Sequence, residues 1–203
     1  MIRSFSLSAL FVSAIALGAC AQEAPEADAQ DATPPAIAEA NAPAGTGTEA
    51  DVNYPSMMRM TGDIIGVDGN SIGMLNMLEG PNGVMVEVGI EEGGLTPGWH
   101  GLHLHQVGDC SDTGEYKMSG GHVGKIEGGH GFFNPAGPEE GDLPNIHAAA
   151  DGSAAMEAFS TFLSLSDLKD DDGAAMIIHE GRDDQMTQPI GGAGARVACA
   201  VIK

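Results

Sequence analysis

The sequence predicts an all-β domain: about eight short strands in a β-sandwich or barrel, carrying two long functional loops. Three observations predict it. From residue 56 onward, short apolar runs alternate with turn signals. Glycine is abundant (30 residues) and aromatic content is 4%, which suits a turn-rich fold better than a helical bundle. No stretch carries the sustained 3.6-residue period of a long amphipathic helix.

Taken in order, "MMRMTGDIIGV" (57–67) is the first strand, and Asp68-Gly69 turns it into "SIGMLNMLEG" (71–80). Asn82-Gly83 turns the second strand into "VMVEVGI" (84–90); both dipeptides suit hairpins, whose central residues need positive φ. "WHGLHLHQV" (99–107) is a fourth strand, and "NIHAAADGSAAMEAFS" (145–160) is a hairpin turning at Asp151-Gly152. "AAMIIHEG" (174–181) and "RVACAVIK" (196–203) are the late strands. Two connections, about 107–143 and 180–195, are too long for hairpins, and long loops in a compact domain are commonly functional. Histidine-bearing strands bound both of them.

The first 55 residues have another character. "MIRSFSLSALFVSAIALGAC" has one early cation, an apolar stretch too short to span a membrane comfortably, and Gly18-Ala19 directly before Cys20. Residues 1–19 are read as a secretion signal whose end resembles a bacterial lipobox, making Cys20 a lipid-anchored first residue. The alternative is an ordinary signal peptide with Cys20 incidental; both place the protein outside the cytoplasm, in the bacterial periplasm or cell envelope, where disulfides persist. Residues 20–55 hold no Lys or Arg and are rich in Ala, Glu, Asp and Pro, which predicts a disordered tether. The domain then runs from 56 to 203. A formal net charge of -21 argues against nucleic acid as a partner, since a phosphate backbone selects basic surfaces.

His103 and His105 fall on one side of the fourth strand, where side chains alternate. Alone, such a pair is a metal site, a proton relay or a wet strand face. His122, His130 and Asp142 in the first long loop, with His179 on a late strand, add a carboxylate to an imidazole set. In an exported protein that set favours zinc or copper over calcium or magnesium, which take oxygen ligands.

Five ordered motifs, "HGLHLHQVGDC", "SGGHVGKIEGGHG", "NPAGPEEGDLPN", "IIHEGRDD" and "GGAGARVACAVIK", resemble the copper-zinc superoxide dismutases over nearly all of 56–203. The resemblance implies an eight-stranded Greek-key β-barrel. It implies copper bound by His103, His105, His122 and His179, with His122 bridging to zinc held also by His130 and Asp142. Arg196 matches the arginine that guides superoxide, Asp183 the aspartate linking ligands of the two metals, and Cys110 with Cys199 the disulfide. His122 is the bridge rather than His130, because His130 then follows by eight residues and Asp142 by twenty, as the family requires.

The chain departs from the family at residue 139, where the third zinc ligand is normally histidine and here is Glu139. A carboxylate oxygen can bind zinc at about 2.0–2.2 Å. Two readings stay open: a His-His-Asp-Glu zinc site, or a weak or empty site with Glu139 and Glu140 solvated. The Asn-Pro usual after the bridging histidine is also missing.

What the resemblance implies chemically is dismutation of superoxide by a copper centre that changes oxidation state, an antioxidant activity, while zinc cannot change its own. A guanidinium is always charged and offers a planar fork of donors, so Arg196 suits a small anion. The alternative function is a copper-buffering lipoprotein on the same barrel. His100 has the opposite parity to His103 and reads as structural, His147 as exposed, and the methionines of "MMRM" (57–60) as core filler. The sequence assigns no oligomeric state.

Overall fold

The computed structural model describes residues 57–203, and within them alternation sets the sheet. In β1 (Met58–Gly66) Met60 and Ile64 point inward while Thr61 and Asp63 face water. β2 (Ser71–Gly80) sets Met77 opposite Met60 and Leu75 opposite Gly62, and β3 (Gly83–Ile90) adds Val86 and Val88 to the same face. Each such fully buried aliphatic side chain contributes about 1.5–3 kcal/mol, which fixes the register: a one-residue slip would turn the whole set to solvent.

After these come β4 (Gly98–His100), β5 (Leu102–His105), β6 (Ile146–Ala148), β7 (Ala154–Ser160), β8 (Ala174–His179) and β9 (Arg196–Ile202). Seven strands form one antiparallel sheet in the order β5-β8-β9-β1-β2-β3-β7, and β4 pairs with β6. The chain runs from β4 into edge strand β5 and from β6 into the opposite edge strand β7. The small pair therefore joins the two edges and closes the sheet into a barrel. Counting β4 and β5 as one interrupted strand gives the eight-stranded Greek-key barrel of the sequence reading.

That interruption is the first correction: 99–107 is not one strand. At Gly101 an added Cβ would lie 2.9 Å from the Ala193 Cβ and 3.2 Å from the Asp183 Cβ, so the backbone passes where no side chain fits. The second concerns 145–160. The turn at Asp151-Gly152 forms, with the Ala149 N–H donating to Ser153 O (2.8 Å), but β6 and β7 then pair with different strands. A third connection, 161–173, is also longer than a hairpin; it buries Leu163, Leu165 and Leu168 in the core. Of the three methionines in "MMRM", only Met60 is core; Met57 and Met58 are exposed. Cys20, the leader, the tether and Ser56 lie outside the described residues.

Candidate metal centre

All four residues of β5 are buried, which needs a cover on each face. Leu102 and Leu104 enter the barrel core. His103 and His105 point the other way, and the connection 106–145 folds back over them. It does so as an extra strand-like edge: Leu104 N–H donates to Gly141 O (2.8 Å), Val123 N–H to Leu104 O (2.9 Å) and Gln106 N–H to Gly121 O (2.9 Å). Those bonds set Asp142 opposite His103 and His122 opposite His105. A Cβ on Gly141 would sit 2.3 Å from Leu104 O, so only glycine permits the approach. His179 closes β8 on the same side, by its parity with Ile177, the partner of His103.

The imidazoles converge. The His103 ring centroid is 4.3 Å from that of His122 and 4.9 Å from that of His179, and His105 is 5.1 Å from His122. In three of these four rings one nitrogen is hydrogen-bonded to protein. His103 Nε2 bonds Asp183 Oδ2 (2.7 Å), and the Nδ1 atoms of His105 and His179 donate to Gly120 O (2.9 Å) and Gly194 O (3.0 Å). The other nitrogen, His103 Nδ1, His105 Nε2 or His179 Nε2, is buried with no partner; His122 lacks one on both nitrogens. Orphaned buried polar atoms are costly, and here each is a lone pair directed into one cluster. A cation bound by imidazoles, such as copper or zinc, fits this set.

A second cluster shares His122. His130 Nδ1 bonds Asp142 Oδ1 (2.8 Å), and His122 Nδ1 lies 3.2 Å from the same oxygen. Glu139 Oε2 is 2.7 Å from His122 Nδ1, close yet out of line for a hydrogen bond. Asp183 spans the clusters, with its carboxylate on His103 Nε2 and, at 3.2 Å, on His130 Nε2. Asn145 holds Asp183 by its backbone, donating to its carbonyl (2.9 Å) and accepting from its N–H (2.8 Å). Two ligand groups emerge from these positions: His103, His122, His130 and Asp142, and His103, His105 and His179.

Electrostatics separates the clusters. Burial lowers the His103, His105 and His179 imidazoles to about 4, about 2 and about 3, with the Arg196 charge adding to the drop at His105 and His179. They are neutral donors at physiological pH. At His130 burial acts in the same direction, but hydrogen bonds to Asp142 and Asp183 overcome it and raise the ring to about 10. Burial would raise Asp142 and Asp183, yet their contacts with the histidines hold both far below the usual carboxylate range.

Arg196 reaches this face through a β-bulge. Cys199 pairs with Ile177 and Ala198 with Ile178, but His179 pairs with Arg196, skipping Val197. The extra residue reverses the alternation and turns Arg196 to the histidine side. Its guanidinium donates to Tyr116 O (2.6 Å), Ser119 Oγ (2.9 Å) and Gly120 O (2.9 Å), which leaves two of its five N–H groups without a protein partner among the described residues. Tyr116 is tied in turn by its hydroxyl to Gly66 O (2.6 Å) and packs with Cys199 and Ile177. The Cys110–Cys199 disulfide fastens the same loop to β9.

Of the site residues inferred from the sequence within 57–203, His103, His105, His122, His130, Asp142 and His179 form the two ligand groups. Asp183 and Glu139 lie against their imidazoles, and Arg196 and the Cys110–Cys199 disulfide hold the covering loop. Glu139 is buried, and Glu140 is exposed. His100 stands outside the clusters, its nitrogens each 2.7 Å from a carbonyl, those of His179 and Thr96. His147 is exposed against Trp99. Tyr116, Ser119 and Asn145 were not singled out, although Ser119 opens the motif "SGGHVGKIEGGHG" and Asn145 closes "NPAGPEEGDLPN"; Tyr116 lies between motifs and carried no signal.

Residues 72–202 match the family model described as copper/zinc superoxide dismutase. A copper-zinc superoxide dismutase of Caulobacter vibrioides is 47% identical over 143 residues, 67% of this chain and 80% of that protein. One from Mycobacterium tuberculosis is 31% identical over 225 residues, covering 97% of this chain and 92% of that one. Among solved structures, the Cu/Zn superoxide dismutase from Brucella abortus superposes with a TM-score of 0.60 at 29% identity, covering 72% of this chain and 100% of that chain. A double mutant of a superoxide dismutase-like protein from Bacillus subtilis gives 0.64 at 33% identity, covering 69% and 94%. With its barrel, its paired histidine clusters and these relatives, the chain belongs to the copper/zinc superoxide dismutase family.

Proposed function

We propose that this chain dismutates superoxide: two superoxide anions and two protons give dioxygen and hydrogen peroxide. The observation that carries the reading is the set of partnerless, buried nitrogens on His103, His105, His122 and His179 beside a half-buried Arg196. These four histidines hold copper, and His122, His130 and Asp142 hold zinc. Copper supplies the one-electron redox couple, and zinc a fixed positive charge.

The chain's own residues do the rest. Gly120 O, Gly194 O and Asp183 fix which nitrogen of His105, His179 and His103 faces inward. Arg196 binds and orients the anion through its remaining N–H groups, because three carbonyl and hydroxyl acceptors have already set its plane. His122 lies between the two ligand groups, its Nδ1 facing Glu139 Oε2 and Asp142 Oδ1 and its Nε2 without a protein partner. That Nε2, when no metal engages it, would be placed to relay a proton to the anion held by Arg196.

We further read Cys20 as the lipid attachment point and 20–55 as the tether that holds the domain at the bacterial envelope. What supports this is the leader ending in Gly18-Ala19-Cys20 and the acidic, proline-rich composition that follows. The test is the dismutation rate of the full chain loaded with copper alone and then with copper and zinc. Rapid turnover that is lost in His179→Ala is the expected result. Bound copper without turnover would replace this reading with copper buffering.

A further inference from the structure

We infer that Glu139 is the fourth ligand of the second metal site, and that its carboxylate biases that site toward zinc against copper. The inference rests on the reading that His122, His130 and Asp142 hold zinc. Glu139 is 3% exposed, and a buried carboxylate is costly without a cation. Among the described residues no Lys or Arg pairs with Glu139, Asp142 or Asp183, so three buried carboxylates have only imidazoles as neighbours of opposite sign.

The two oxygens of Glu139 are used differently. Oε1 accepts the Ile126 N–H at 3.0 Å, which fixes the side chain. Oε2 is left against His122 Nδ1 at 2.7 Å with no hydrogen-bond alignment, as two donors lie when both face a common ion. The Glu139 N–H also donates to Asp142 Oδ2 (3.0 Å), so the two acids are held as a unit. The solvated reading of Glu139 fails on its burial; Glu140, which is exposed, takes that role.

The consequence is a change of donor hardness. Copper(II) binds most nitrogen and oxygen sites more tightly than zinc, and imidazole suits it well. Exchanging an imidazole for a carboxylate makes the second site two-nitrogen, two-oxygen and more anionic, while the first keeps four imidazoles. The two sites then differ enough to sort the two metals.

The test titrates the metal-free full chain with Co(II), whose visible d–d bands report a site that zinc fills silently; the bands lost on adding zinc belong to the second site. Glu139→Gln is expected to weaken that zinc-displaceable binding by roughly 10–100-fold or more. Glu139→His is expected to restore it and, after excess copper followed by zinc, to keep a second copper equivalent that the parent chain releases. Gln binding as tightly as the parent, or His retaining no extra copper, overturns the inference. A chain that binds cobalt as expected but fails to dismutate superoxide counts against the proposed function alone.

Discussion

Arg196 shows how much depends on one side chain being both held and half free. Lysine carries the same charge but cannot satisfy Tyr116 O, Ser119 Oγ and Gly120 O with one flat group, so its ammonium would leave carbonyls unpaired and sit elsewhere. A hydrogen bond to a charged group contributes about 1.5–3 kcal/mol, roughly 10–100-fold in rate. Arg196→Ala is therefore expected to lower kcat/KM for superoxide by about that factor, with Arg196→Lys in between. Copper and zinc content, measured on the same samples, should not change, because Arg196 donates only to the loop. Residue types at this scale were legible: the histidine and aspartate spacings singled out the groups that converge. Which nitrogen of each ring faces inward was not, because Gly120 O, Gly194 O and Asp183, remote in sequence, decide it.

At the scale of elements, the loop 106–145 is part of the barrel wall rather than an appendage, since its backbone pairs with β5 and its disulfide reaches β9. The Cys110–Cys199 bond closes 89 residues, for which chain entropy gives about 4–5 kcal/mol of stabilisation. Cys110→Ser with Cys199→Ser should lower the unfolding free energy toward that amount in urea. It should also lower activity in the molecules that remain folded, because Tyr116, Ser119 and Gly120 set the Arg196 plane. Unchanged turnover in the folded double variant would show that Tyr116 alone anchors the loop. The strands themselves were legible, because alternation and Asp-Gly or Asn-Gly turns are local. Three features were not: the break at Gly101, the divergence of β6 from β7, and the bulge at Val197. The first two are each imposed by a distant contact. At Gly101 it is the approach of Ala193 and Asp183, and at β6 and β7 it is pairing with β4 and β3.

For the molecule as a whole, the metal centre is also the main pH-sensitive element of the fold. His103, His105 and His179 refuse protons when folded, with values of about 4, about 2 and about 3 against an ordinary 6.5. As pH falls below 6.5 the unfolded chain takes up protons that the folded chain does not, and stability falls. Asp142 and Asp183, held charged in the fold, add to that loss at still lower pH. His130 has the opposite sign: its folded value of about 10 means that stability present below 6.5 is lost as pH rises toward 10. The metal-free chain is thus expected to be most stable near pH 6.5, falling on both sides. Metals bind only the folded state and raise its stability throughout, and a ligand at His130 must displace its proton. The stabilisation by zinc should therefore grow with pH across the range in which the metal-free chain weakens. Thermal unfolding from pH 4 to 10, with and without zinc, measures both curves. A metal-free profile flat across pH 6.5 would mean that the clustered histidines do not titrate as a buried, coupled set.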